Sequence, residues 1–394
     1  MSTYDWLIVG AGLTGATLAE RLARQGGARV LVVDARPHVA GNAFDELDAH
    51  GVLVHRYGPH AFHTNSARVW HYLSRFTEWH PYEHRVCAAL DAYLVPLPFN
   101  LDALAQCFGP AARHLEARLL ARYPGQEHVP VLRLLDDDDA DVQRVAQFVY
   151  ERIFLGYTQK QWGRRPEELD PSVTARVPVR LSRDDRYFQD RFQATPRAGF
   201  TALVARMLDH PNITVQTGCA FGDIGSAFRW KRMVYTGQVD AYFESCHGPL
   251  PYRSLHFDFK HYANQDAPTV LRQKVAQVNH PEAPAVTRVT EFRHMTGQPG
   301  PGTTLSVETP VAYTSGVNEP YYPVPHPDSR ALYARYAADA AREAPQVVFA
   351  GRLGEYRYYN MDQAVARALV IADRLLGGAA REDGGQASDT GKQQ

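Results

Sequence analysis

Cysteine is scarce in this chain. Cys87, Cys107, Cys219 and Cys246 stand far apart with no CxxC pair among them, which argues against a disulfide framework and a thiolate zinc site and fits a reducing compartment. No apolar run approaches the roughly 18 residues that a membrane-spanning helix needs. A surplus of one charge is missing too: 42 Lys and Arg face 43 Asp and Glu, for a formal net charge of -1. No field of one sign is available to attract a nucleic acid or an anionic bilayer, so neither is expected as a partner. Internal repeats are absent. The apolar run "YDWLIVG" begins by about Tyr4, leaving no room for a signal peptide, and the expected location is the cytoplasm.

What is present is an ordinary globular composition, 45% hydrophobic and 22% charged over 394 residues, enough for two or three domains. The first 34 residues read most clearly. "YDWLIVG" is a short run of β-formers, "ATLAERLARQG" has helical spacing, and "ARVLVVD" is a second buried strand ending in Asp34. Between the first strand and the helix stand Gly10, Gly12 and Gly15 in GxGxxG spacing. Gly10 allows a tight turn, Gly12 lets backbone approach a pyrophosphate, and Gly15 lets helix and sheet pack closely. Asp34, at the end of the second strand, is placed to accept from ribose hydroxyls. This βαβ unit predicts a parallel sheet that binds a dinucleotide. The following "ARPHVAGNAF", with Arg36 soon after the acidic residue and the pair Gly41 and Asn42, is more typical of FAD proteins than of nicotinamide dehydrogenases. The late "VVFAGRLGEYRYYNMDQAV" reads as a strand, a glycine turn and a helix. Such a return can bring a helix N-terminus to the pyrimidine end of a flavin, where its partial positive charge favours the electron-rich form.

The rest of the chain divides by pattern. Segments 1–80, 194–245 and 340–378 are expected to form a discontinuous Rossmann-type α/β FAD-binding domain. Segment 100–168 is expected to be a helical insert with a mobile substrate loop, and 81–99, 169–193 and 246–339 a mainly antiparallel β-sheet domain. The last helix is expected from about Met361 to Leu376, and 379–394 reads as a disordered polar tail. The acidic run "LDDDDAD" reads as a solvated helix N-terminus rather than a metal site, because no histidine or spaced glutamate completes a ligand set. No metal is expected.

The chain resembles the bacterial-type flavin-dependent UDP-galactopyranose mutases. The matching motifs are ordered along nearly its whole length: "GAGLTGA", "YGPHAFHTN", "PLPFN", "GYTQKQWG", "RVPVR", "DRYFQDRFQ", "TRVTE", "EPYYPV" and "GRLGEYRYYNM" among them. The resemblance implies FAD, active when reduced, and interconversion of UDP-galactopyranose and UDP-galactofuranose with no net redox. The flavin N5 would attack the anomeric carbon, UDP would depart, and closure through a different hydroxyl would give the five-membered ring. It also implies a cellular reductant such as NAD(P)H, a homodimer, and a supply of galactofuranose for cell-surface glycans.

The same motifs assign residues. The leaving diphosphate needs cations, and guanidinium suits a bidentate grip. The matches are Arg176 and Arg288, with Arg180 the rival to Arg176. Tyr187, Tyr321, Tyr322 and Tyr358 match substrate-site tyrosines, although tyrosines beside proline also pack with a satisfied hydroxyl. Phe154 and Tyr157 resemble the residues that stack on uracil, and Asn279 a polar contact to it. Ile153 stands where the family often has a second aromatic, so stacking is expected to rest mainly on Tyr157. Trp162, among polar residues and beside Gly163, suits a loop that closes over substrate. His60 and His63 match a histidine-containing turn near the flavin. Around the cofactor the matches are Gly10, Gly12, Leu13, Thr14, Gly15, Asp34, Ala35, Arg36, Gly41, Asn42, His60, Gly237, Arg352, Tyr359, Asn360 and Met361. Asn360 stands where the family usually has aspartate; it is expected to cap the last helix and to lie near the substrate. Three rivals remain. An amine-oxidase-type FAD oxidoreductase would want an apolar channel with an aromatic cage. A non-enzymatic chaperone of prenylated GTPases would bind no flavin, and an NAD-dependent sugar-nucleotide dehydrogenase would lack the late return to the first domain.

Overall fold

The computed structural model describes residues 2–91, 93–170, 178–225, 228–263 and 271–382, with side chains up to Gly377. A five-stranded parallel sheet lies at its centre, in the order Ile213–Thr217, Val30–Asp34, Ser2–Val9, Phe228–Tyr235, Val347–Phe349. Both faces are covered, which is why these strands read as apolar runs. The helices Leu13–Arg24, Phe200–Leu208 and Met361–Glu382 pack on one face through Leu18, Leu22, Val204, Val365 and Leu369. Tyr4, Leu7, Leu31, Met233 and Tyr235 build the core of the other. The strand order reverses between Ser2–Val9 and Phe228–Tyr235, and in open α/β sheets the crevice beyond such a switch point is where ligands bind. One charge sits inside this layer: Glu20 is fully buried and accepts from Arg21, Arg24, Arg75 and Tyr72.

A seven-stranded sheet lies over the crevice. Its order is Tyr322–Pro323, Tyr252–Ala263, Gly302–Ala312, Arg288–Glu291, Gln277–Asn279, Val86–Leu90, Tyr93–Leu97. All pairings are antiparallel except that of Gln277–Asn279 with Val86–Leu90. A smaller three-stranded sheet, Phe62–Thr64, Phe192–Pro196 and Trp79–Pro81, links the two layers. The helical insert starts at Asn100, whose side chain caps Leu101–Phe108 by accepting from Ala103 N–H. It continues through Ala112–Arg122, Val131–Leu135 and Ala140–Val149, then a π-helical stretch Tyr150–Leu155 and the helix Gly156–Trp162. The acidic run caps a helix: Asp139 accepts from Asp141 and Val142 N–H, and Asp137 from Tyr123 and Arg122.

Three details differ from the sequence reading. A short strand, His128–Pro130, interrupts the insert and pairs with Pro178–Arg180. Trp162 is the last residue of a helix, not part of a loop. The C-terminal helix runs past Leu376 and both Gly377 and Gly378 to Glu382, since each mid-helix glycine costs only about 1 kcal/mol and good helix formers follow. Residues 383–394, most of the expected tail, lie outside the described residues.

Candidate functional site

The crevice at the switch point is a cavity of 470 Å³. Gly10, at φ +105°, turns the chain out of the first strand; a Cβ there would lie 2.0 Å from Thr236 Oγ1. A Cβ on Gly15 would lie 1.9 Å from the Gly10 carbonyl oxygen, so the helix can approach the sheet only with glycine there. Gly12 holds the N-cap and supplies no side-chain cap, which leaves the first-turn N–H groups to an anion. Asp34 accepts from Ala11 N–H at 2.8 Å and Arg36 N–H at 2.9 Å, which fixes its carboxylate at the cavity wall. Arg36 spans the cleft: it donates to Asn42 and to Glu319, at 2.9 and 2.6 Å, and lies over the Tyr57 ring. All sixteen residues expected around the cofactor line this one cavity, including Leu13, Thr14, Ala35, Gly41, Gly237, Arg352 and Tyr359. The glycine cradle, the open helix terminus and the held acidic residue fit an extended dinucleotide.

A second cavity of 500 Å³ continues from the first, and His60, Asn42, Arg352, Asn360 and Met361 line both. His60 Nδ1 lies 2.7 Å from the Gly58 carbonyl oxygen, so that nitrogen carries the proton and Nε2 is left as an acceptor. Burial, with His55 beside it, pushes the His60 pKa down to about 3, so the ring is neutral at working pH. His63 Nδ1 meets Asp190 at 2.9 Å, and its ring stacks on Phe188 with centroids 3.6 Å apart.

The opposite wall comes from one row across the large sheet. Ala88, Asn279, Arg288 and Glu308 are in register on four neighbouring strands, and residues in register share a face. Arg288 donates to Glu308 from Nε at 2.7 Å, and its Nη2 is 2.6 Å away. Burial opposes the charge on Arg288, but Glu308 holds its pKa well above the usual value, so the cation is permanent. Tyr322 and Tyr358 stack on each other at 5.3 Å, and the guanidinium of Arg352 lies over both rings. Burial first, then Tyr358, pushes the Tyr322 hydroxyl up to about 12, so it remains a donor. Trp162 meets Tyr322 and Tyr358 at 5.9 and 6.1 Å and closes the outer side of a 780 Å³ opening. Arg288, Tyr157, Tyr187, Tyr322 and Tyr358 line both this opening and the cavity next to the dinucleotide cleft. A narrow slot of 80 Å³ leads off beside Tyr157 and Tyr187, walled by Ile153, Phe154, Pro281 and Asn279.

Some expectations need amending. Arg176 lies outside the described residues. Its rival Arg180 is buried and donates to the carbonyl oxygens of Asp184 and Arg186, lining none of these cavities. Tyr321 is buried at the inner edge of the cavity, within ring contact of Tyr57 and Phe257. The Asn360 side chain makes no hydrogen bond among the described residues; capping runs the other way, from Asn360 N–H to Gln363 Oε1 at 3.0 Å. Sequence reasoning missed Glu308, Glu319, His84, Gln277 and Lys160. Each acts through a partner more than a hundred residues away or on another strand, so no local pattern marks it. Lys160 shows this best: its ammonium caps the carbonyl oxygens of His280, Pro281, Ala283 and Val286 at 2.5 to 3.1 Å.

Comparisons with known proteins fit this geometry. A family model described as UDP-galactopyranose mutase matches residues 152–358, and one described as an NAD(P)-binding Rossmann-like domain matches residues 8–76. The UDP-galactopyranose mutase of Mycoplasma pneumoniae is 35% identical over 391 residues, covering 95% of this chain and 96% of its own. The dTDP-fucopyranose mutase of Escherichia coli is 33% identical over 384 residues, covering 94% and 98%. The crystal structure of a reduced UDP-galactopyranose mutase shares the fold, with a TM-score of 0.74 at 14% identity over 96% of this chain and 95% of that one. Matched across its central half by the family model and along nearly its full length by these relatives, the chain belongs to the UDP-galactopyranose mutase family.

Proposed function

We propose that this protein is an isomerase that interconverts UDP-galactopyranose and UDP-galactofuranose, with reduced FAD as cofactor and no net redox. The observation that carries the reading is the meeting of an anion site with the end of a dinucleotide cleft: Arg288, Tyr157, Tyr187, Tyr322 and Tyr358 line a cavity that continues into the one built on the glycine turn. When bound and reduced, FAD supplies a nucleophilic nitrogen at the anomeric carbon. The chain's own residues bind, orient and exclude water. Gly10, Gly12, Leu13, Thr14 and Gly15 hold the cofactor diphosphate at the first helix, and Asp34, Ala35 and Arg36 hold the adenosine side. Gly41, Asn42, Gly237, Arg352, Tyr359, Asn360 and Met361 enclose its ring end. Arg288 grips the departing substrate diphosphate, with Arg176 as the second cation, and the hydroxyls of Tyr322 and Tyr358 donate to it. Uracil lies against Tyr157 and Phe154, and Trp162 closes over the sugar. Neutral His60 offers an acceptor beside the reacting centre, and Asp190 orients His63 at its edge. The same reading extends to a cytoplasmic homodimer that draws electrons from a reductant such as NAD(P)H and supplies galactofuranose for cell-surface glycans.

The test is product analysis. Purified protein incubated with UDP-galactofuranose and dithionite is expected to form UDP-galactopyranose, resolved by chromatography, with little conversion when the flavin is oxidised. No interconversion in the reduced sample overturns the mutase reading, and equal rates without reductant overturn the reduced-cofactor requirement.

A further inference from the structure

His60, His63 and His84 line the 500 Å³ cavity, and they differ in what stands behind the ring. His60 Nδ1 meets the carbonyl oxygen of Gly58 and His84 Nδ1 the hydroxyl of Tyr82, at 2.7 Å in each case. Both partners are neutral. Burial first, then His55 for one and Arg288 for the other, pushes both pKa values down to about 3, so neither ring takes up a proton at neutral pH. His63 has a carboxylate behind it: its Nδ1 lies 2.9 Å from Asp190 Oδ2. A carboxylate only accepts, so Nδ1 carries the proton whether the ring is neutral or charged. Nε2 makes no hydrogen bond among the described residues.

The pair is built by strand register. Phe62–Thr64 runs antiparallel to Phe192–Pro196, with His63 opposite Gln193. The Gln193 amide donates to the carbonyl oxygens of Phe188 and Asp190 at 3.1 and 3.0 Å, and Asn65 accepts from Arg191 N–H at 2.9 Å. These bonds fix the turn that carries Asp190. Phe188, in the same turn, stacks flat on the His63 ring with centroids 3.6 Å apart. The ring is thus held against rotation, with one nitrogen tied to a charge and the other left open.

Ring contraction has a proton to move. The bond from C1 to the ring oxygen O5 breaks, its electron pair stays on O5, and O5 takes up a proton. The C4 oxygen then bonds to C1 and gives one up. The balance is one proton carried from O4 to O5, and the reverse reaction carries it back. In either direction the opening ring needs a donor first and the closing ring an acceptor second, so one group can serve both if it starts and ends as a cation beside a counter-charge.

Resting on the mutase reading, we propose that His63 is that group: its Nε2 proton goes to the ring oxygen as the sugar opens, and Nε2 takes the proton of the hydroxyl that closes the new ring. His63 is the catalytic acid and base. Asp190 is a positioning residue that holds Nδ1–H and balances the charge on the ring.

The experiment reads two steps separately on the reduced, full-length holoprotein. UDP-galactopyranose with heavy oxygen in the bridge between C1 and the β-phosphate reports departure and return of UDP, because the label spreads to the other β-phosphate oxygens and is followed by phosphorus NMR. Conversion of UDP-galactofuranose to UDP-galactopyranose reports ring exchange. His63→Ala is expected to keep label spreading within about threefold and to lower conversion about a hundredfold or more. His63→Gln, closer in shape and unable to carry a proton, is expected to do the same and decides the matter if His63→Ala does not fold. Asp190→Asn still accepts from Nδ1–H but brings no charge; its kcat is expected to fall about tenfold with KM within about threefold. Conversion by the His63 variants within about threefold of the unaltered protein overturns the proposal. A parallel fall in label spreading and conversion overturns it too, since His63 would then serve binding or UDP departure, and an unchanged kcat in Asp190→Asn overturns the part given to Asp190. Unaltered protein that neither spreads the label nor converts is a different outcome: it overturns the mutase reading itself.

Discussion

Arg288 has two duties that a single substitution confounds. It neutralises Glu308, which is 1% exposed, and under the proposed function it offers a cation to the diphosphate. Arg288→Ala should therefore weaken UDP binding by tenfold or more and also destabilise the fold by about 3 to 5 kcal/mol, because Glu308 is left buried and unpaired. Glu308→Gln in the same chain should recover most of the melting temperature and none of the UDP affinity. Melting curves and titrations of the single and double variants separate the duties; recovery of both properties together would place Arg288 in the scaffold alone. The sequence shows only half of this pair. Arg288 stands in a motif, whereas Glu308 in "LSVETP" reads as an alternating strand position. Its burial follows from its register opposite Arg288, which no local pattern encodes. Asn360 is the converse case. It looked like a cap by its place before a helix, and Gln363 has taken that task, leaving its amide at the junction of the two cavities.

The helix Gly156–Trp162 shows how an element can be legible and misread at once. Its polar residues, its glycines and its tryptophan suggested a loop. It is helical because its polar groups are satisfied by distant backbone: Lys160 caps four carbonyl oxygens in 280–286, and Arg253 donates to the carbonyl oxygens of Lys160 and Gln161 at 2.9 Å. Arg253 ties the helix that carries Tyr157 and Trp162 to the strand Tyr252–Ala263, and the Lys160 contacts fasten it to the segment joining the strands of Asn279 and Arg288. Lys160→Met should release them. The expected outcome is a KM for UDP-galactopyranose raised about tenfold with kcat changed much less, since uniform binding is what the helix contributes. Quenching of Trp162 fluorescence by UDP should weaken in parallel. A matching fall in kcat at unchanged KM would contradict this role. The neighbouring π-helical stretch Tyr150–Leu155 turns Phe154 and Tyr157 onto one slot, a use of such bulges common at functional sites.

Across the whole molecule, the nucleotide half was readable because its signals are local: glycine spacing, apolar runs and an acidic strand end. The large sheet was readable only as a set of strands, because its order joins 86–97 to 252–323 through pairings that no short-range periodicity specifies. Those distant joins also bury histidines. His55 and His84, 2% and 6% exposed, have pKa values pushed down by burial from 6.5 to about 4 and about 3. The unfolded chain takes up protons on them first, so stability present above pH 6.5 is lost as pH falls toward the folded values. The slope is about 1.4 kcal/mol per pH unit for each histidine, roughly 4 kcal/mol for the two between pH 6.5 and 5. Melting temperature should drop steeply over that interval, and His84→Phe should make the slope shallower; an unaltered slope would assign acid sensitivity to other groups. The sheet at the centre has one further consequence. One of its outer strands is Val347–Phe349, and the wall from Gly351 to Met361 closes the cleft that Gly10 opens. Synthesis makes the glycine turn well before this far wall. Closure of the cleft therefore waits until residue 361 has been made, and a chain cut before Gly351 would bear the motif without the wall that faces it.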